Sequence, residues 1–125
     1  MVITLRAAAV SSGGGSGSLP DVSPFQGTVT SVPTNALSTV VSRVVPLGLA
    51  MRLTGVVATG SSDGEWYVFD DAVELYRSRT SGNDRGFEFT HNPILILAGH
   101  AVTLKVVHQE ATTQNFEGTL LGYDT

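Results

Sequence analysis

The pentapeptide Gly60-Ser61-Ser62-Asp63-Gly64 fits the G-x-S-x-G pattern of serine hydrolases, with Ser62 in the nucleophile's place. That chemistry needs a sharp turn from a strand into a helix, so that the serine stands clear of the sheet beside an oxyanion hole. Here the strand-like run Trp66-Tyr67-Val68-Phe69 follows at once. The segment therefore reads as a hairpin turn between two strands that pair antiparallel. The histidines, His91, His100 and His108, show no H-x-H or H-E-x-x-H spacing that would set two of them on one metal. They read as two turn residues and one rim residue at the end of a strand. Asp63, Glu65, Asp70 and Asp71 offer the oxygen ligands that calcium takes, yet no D-x-D-x-D-G loop organises them. Turn and edge carboxylates that discourage strand pairing account for them. No catalytic residue, metal or cofactor is expected.

Two further groups carry binding chemistry. Arg77, Arg79 and Arg85 place three of the seven basic residues within nine positions. Guanidinium groups so gathered can grip a carboxylate or phosphate on a neighbouring subunit through paired hydrogen bonds. Trp66, Tyr67 and Phe69 suggest a platform for stacking a sugar ring. Strand alternation, however, sends Trp66 and Tyr67 to opposite faces, so one packs in the core and a single exposed ring is ordinary surface.

These residues must be positioned by strands. Period-2 patterns separated by Gly, Pro, Asn and Asp run from end to end, with no helical stripe. Gly27 to Val32 forms a strand stopped by Pro33, and the next ends at Pro46, because proline removes a ladder donor. Leu49, Met51 and Leu53 alternate with Arg52 and Thr54. Val73 and Leu75 point inward, Arg77 and Arg79 leave the core, and Phe87 and Phe89 flank Glu88. The run Ile94 to Leu97 is apolar on both faces. Val102, Leu104 and Val106 face inward, as do Phe116, Gly118 and Leu120. About eight strands at this spacing match an all-β, jelly-roll-like antiparallel sandwich with an N-terminal extended arm.

Composition narrows the class. The chain of 125 residues has room for one core, and its 42% hydrophobic content describes a folded domain. A net charge of -4 gives no drive toward nucleic acid. Without cysteine there is no disulfide scaffold or thiolate site. No secretory signal and no apolar run long enough to cross a membrane stand out, so no membrane partner is expected.

The organisation is an arm over residues 1–10, a Gly/Ser linker over 11–24, and a sandwich over 25–125. A stretch of about eleven such residues spans roughly 18 Å, and about twice that when drawn out. A strand returning to its own sheet needs only a short turn, so the linker favours an arm that reaches a neighbour and adds a strand to its edge. Val2, Thr4 and Arg6 would face one way. Ile3, Leu5, Ala7 and Ala9 would form the buried face. Val2, Ile3, Leu5, Arg77, Arg79 and Arg85 are thus the expected partner-binding residues.

From Val45-Pro46 through Leu53 to Gly55, Asp63 to Glu65, Arg79 to Ser81, Phe87 and Phe89, Asn92 to Ile94, Gly99 to Val106 and Phe116 to Gly122, the chain carries an ordered series of turns and strand ends. Over roughly residues 36 to 123 this series resembles small jelly-roll structural proteins of tailed bacteriophages and prophages. The resemblance implies a non-enzymatic virion component, made in the host cytoplasm, at a station in the capsid, neck or tail. His100 departs from the acidic residue the family tends to carry after the glycine, and the arm lies outside the match. The leading expectation is a protein that decorates or cements the capsid, as a homo-oligomer such as a trimer, holding to the shell or to sister copies through its arm and sandwich edges. A receptor- or glycan-binding knob of a fibre or tail is the alternative.

Overall fold

Alternation of apolar and polar side chains lets each strand bury one face, and two such faces make a core. In the computed structural model, which describes residues 25–80, 85–88 and 92–125, this alternation yields nine strands. They are β1 (Phe25–Val32), β2 (Ser38–Val44), β3 (Met51–Gly60), β4 (Gly64–Asp70), β5 (Val73–Thr80), β6 (Arg85–Glu88), β7 (Ile94–Ile96), β8 (Ala101–Val107) and β9 (Gln114–Asp124). One sheet runs β1-β9-β3-β6, with β7 also on β3; the other runs β2-β8-β4-β5. The short strands β6 and β7 lie end to end along β3, opposite Gly55 to Ala58 and Met51 to Leu53. They fill one strand position, so each antiparallel sheet has four. This is the wrapping of a jelly roll.

The expected inward residues of β8 and β9 are buried: Val102, Leu104, Val106, Phe116 and Leu120 pack with Met51, Leu53, Val56, Trp66, Val68 and Ile96. Trp66 is the ring that goes inward, meeting Phe116 edge to face with centroids 5.6 Å apart. Gly118 gives its space to Leu104, whose Cδ2 lies where a Cβ would stand. An ion pair closes the seam between the sheets: Arg43 of β2 makes two parallel bonds, 2.7 and 2.8 Å, to Asp124 of β9. The same guanidinium lies 4.4 Å from the centre of the Phe25 ring.

Three expectations are corrected. β3 and β4 do not pair; they belong to different sheets, and Ser61 to Asp63 cross between them. A jelly roll sends these neighbours to opposite walls, which the turn residues alone do not reveal. Val73 is 62% exposed rather than inward, because it opens the edge strand β5 where little covers it. Leu49, 39% exposed, precedes β3 and does not share the burial of Met51 and Leu53. The register of β5 skips Leu75, between Val68 opposite Tyr76 and Phe69 opposite Glu74. That bulge frees Leu75 to pack on the core while Arg77 points outward.

The two ends of the sandwich differ. At one end, side chains and backbone of the connecting turns are laced together. Asn115 accepts from the Ser31 N–H, Ser61 N–H donates to the Asn115 carbonyl, Asn35 N–H donates to the His108 carbonyl, and the Thr34 hydroxyl donates to the Glu110 carbonyl. At the other end the turns after β2, β4 and β7 meet the end of β9. Val45 N–H donates to the His100 carbonyl, Gly99 N–H to the Val45 carbonyl, Asp71 N–H to the Ala101 carbonyl, and Ala50 and Thr125 bond each other both ways. Gly48 and Gly99, at φ 85° and 83°, make the two sharp bends that bring these turns together.

Candidate functional site

Ser62 donates its hydroxyl to the Asp63 carbonyl at 3.0 Å, as a turn residue does. His100 lies at the opposite end of the sandwich. His108 is engaged elsewhere: it is 1% exposed, Nε2 bonds the Val32 carbonyl at 2.7 Å, and Nδ1 accepts the Glu110 N–H at 3.1 Å. An accepting Nδ1 leaves the hydrogen on Nε2, so the ring spends both nitrogens fastening the turn after β8 to β1. The expected rim position is thus a buried one. His91 falls outside the described residues. Ser62→Ala should leave both the fold and any ester turnover unchanged, measured by denaturation and with a chromogenic ester; turnover that depends on Ser62 would contradict this placement.

The four carboxylates do not converge. Asp63 and Glu65 lie at one end of β4, Asp70 and Asp71 at the other, about 20 Å away at the rise of a strand. Asp70 and Asp71 meet His100 instead: its Nδ1 is 2.7 Å from Asp70 Oδ1 and 3.7 Å from Asp71 Oδ2. The ligand atoms of all three lie within 4.8 Å of one another, close enough to hold a metal ion in principle. Their bonds already have a structural use. The 2.7 Å contact is a hydrogen bond, and Asp71 Oδ1 accepts the Ala101 N–H at 2.8 Å. The cluster staples the turn after β4 to the turn before β8.

The arginines are separated by the fold. Arg77 and Arg79 lie on β5, at the edge of one sheet, whereas Arg85 begins β6 in the other. Arg77 is held by Glu74 through two bonds, 3.1 and 3.0 Å, and lies 4.8 Å from the Tyr67 ring centre. The paired bonds lower the Glu74 carboxyl from its ordinary value and raise the Arg77 guanidinium. A carboxyl lowered in this way keeps its pairing above the ordinary carboxylate range and loses it only as pH falls through the lowered value. Arg77→Ala should therefore move the Glu74 titration midpoint upward, read by NMR; an unmoved midpoint would mean that the pair does not form in solution. Arg79, 3.6 Å from Glu65, keeps a side chain that is 77% exposed.

Between these charges lies a feature the sequence reading missed. Tyr67 and Phe69 both project from the outer face of β4 and stack, with centroids 6.2 Å apart and planes 21° from parallel. A second outward ring thus exists, but both rings are half-buried and neither is bare. Arg77 covers Tyr67, the Lys105 ammonium lies 5.2 Å from the Phe69 centre, and the Tyr67 hydroxyl donates to Glu65 at 2.8 Å. That hydrogen bond, with burial and the neighbouring carboxylate charge, raises the phenol above its usual value. The stack fastens strands together across the sheet.

Apolar side chains gather instead at the end of the sandwich where β1 begins. Leu47 is 85% exposed at the tip of the turn after β2, and Leu49, Leu95 and Leu97 are exposed beside it. Leu95 lies opposite Arg52 at the start of β3, and the Leu47 Cδ2 approaches Gly99. Val44 and Val73, also exposed, stand on β2 and β5, the two edge strands of the second sheet. Single exposed leucines are ordinary; a cluster ringed by polar residues marks a contact surface. The signal available in the sequence was the Ile94 to Leu97 run, apolar on both faces. Of the expected partner-binding residues, Val2, Ile3 and Leu5 lie outside the described residues, as does the side chain of Arg85. No protein-family model and no curated protein matches the chain.

Proposed function

We propose that this chain is a non-enzymatic structural protein of a tailed-bacteriophage particle, decorating or cementing the capsid through its N-terminal arm and the exposed edges and end of its sandwich. The observation that carries the proposal is the apolar rim of Leu47, Leu49, Leu95 and Leu97, set on a jelly roll whose core is already complete. A surface of this kind gains by being covered, and it needs no reaction chemistry to do its work. The ordered motif series along residues 36 to 123, with its resemblance to small jelly-roll virion proteins, supplies the setting. The glycan-binding alternative draws no support from the aromatic stack, since cations already cover Tyr67 and Phe69.

Particles prepared from a phage or prophage with this reading frame deleted should lack the protein, and adding the purified full chain should restore it to them in fixed proportion. Purified full chain that fails to bind such particles would overturn the proposal.

A further inference from the structure

We propose that the leucine rim is the receptor for the arm of a second copy, Ile3 and Leu5 seating against Leu47, Leu49, Leu95 and Leu97. This rests on the assembly reading above and adds the identity of both surfaces. Three observations point to the arm as the occupant.

The first is where the chain enters. Phe25, the first described residue, lies opposite Leu120, and beyond Leu120 strand β9 runs on to Asp124 and the bonds between Thr125 and Ala50. The N-terminal end of β1 is thus directed toward the end of the sandwich that carries the rim, about four residues of β9, roughly 14 Å, further along, with β9 and β3 lying between β1 and β7. A linker of residues 11–24 spans roughly 20 Å on average and reaches about twice that. Drawn out, it is long enough to reach the same rim on an adjoining copy.

The second is chemical match. The arm is Met1 to Val10, with Ile3, Leu5, Ala7 and Ala9 on one parity and a single charge, Arg6, on the other. The rim presents four leucines, and Asp70 and the exposed Asp71 hold His100, whose backbone N–H donates to the Leu97 carbonyl. An apolar strip with one cation fits an apolar rim with carboxylates at its border. The third is the contrast between the ends. Both ends bond their own turns, but the opposite end exposes one leucine, Leu37, where the rim exposes four. Reciprocal exchange of arms would give a dimer; head-to-tail docking would close into a ring such as a trimer.

Complementation between two full-length variants tests this. One, Leu47→Asp/Leu97→Asp, has a spoiled rim and an intact arm; the other, Ile3→Asp/Leu5→Asp, has the reverse. Sedimentation at micromolar concentration should show self-association of the original chain. Each variant alone should weaken it by about a hundredfold, the effect of forcing a charge into an apolar contact. A mixture of the two should recover a species of two protomers, each 13.1 kDa, because one intact arm still meets one intact rim. If only the rim variant loses association, the rim meets another rim and the proposal falls. It falls equally if neither variant matters, if the mixture stays monomeric, or if the original chain is monomeric. Leu47→Asp alone, at the most exposed leucine, replaces the double rim variant should circular dichroism show that one disturbed. Association that survives both sets of substitutions, in an original chain that still binds depleted particles, removes this proposal and leaves the function standing; failure of the original chain to bind them removes the function.

Discussion

Trp66→Ala is expected to destabilise the sandwich by about 3 to 5 kcal/mol, the cost of removing a fully buried aromatic side chain. Trp66 comes from β4 in one sheet and meets Phe116 of β9 in the other, so the pair joins the two walls rather than one. Truncation removes the largest buried side chain and leaves a void between sheets that ladder hydrogen bonds hold at their spacing. Phe116 also faces the His108 ring, centroids 5.7 Å apart, so the loss extends toward the buried histidine and the turn it fastens. Chemical denaturation followed by far-UV circular dichroism measures the change. A loss below about 1 kcal/mol would mean that the two sheets do not share this core.

The second large effect comes as a pair. Leu104→Ala should cost about 2 to 5 kcal/mol, because Leu104 is wholly buried and its cavity cannot close without moving β8. Gly118→Ala should cost about 1 to 3 kcal/mol for the opposite reason, since the new methyl would strike Leu104 Cδ2 and crowd Val40 Cγ1. Together the substitutions exchange volume across the sheet interface: alanine at 118 enters the space that leucine at 104 vacates. The double variant should be more stable than the sum of the single losses implies, by about 1 kcal/mol or more. Strict additivity in a denaturation cycle would show that β8 and β9 do not face one another as described.

How far the sequence disclosed this fold depends on the distance over which each decision is made. The inward residues of β8 and β9 follow from local alternation, and Pro33 and Pro46 end strands by their own chemistry; all of this was legible. The partner of β3 was not. Gly60 to Gly64 has the composition of a hairpin turn, and the same residues serve equally well for a crossing between sheets. The choice is made by β9, which occupies the flank of β3 that a hairpin with β4 would need. The bulge at Leu75 was hidden too, because a skipped register reverses parity without changing composition. It turns Arg77 outward over Tyr67, so the arginine patch became part of a charge-bordered aromatic stack on one sheet, with Arg85 left on the other.

The candidate surface shows the same division. Leu95 and Leu97 were visible as one parity of a short run whose other parity, Ile94 and Ile96, is apolar too, yet whether such a run is covered is settled by packing alone. β7, three residues long, lies at the margin of β3, and Leu95 on it and Leu97 just after it stay about half exposed. The convergence of Leu47 with them is imposed by the bonds between Val45, Gly99 and His100, more than fifty positions apart in the chain.

An electron cryomicroscopy reconstruction of the intact particle tests the central claim most directly. The map should show jelly-roll density fitting this chain at symmetric positions on the shell, with the leucine rim turned against a neighbouring subunit and away from solvent. A particle map that accounts for every protein and holds no copy of the chain would contradict it.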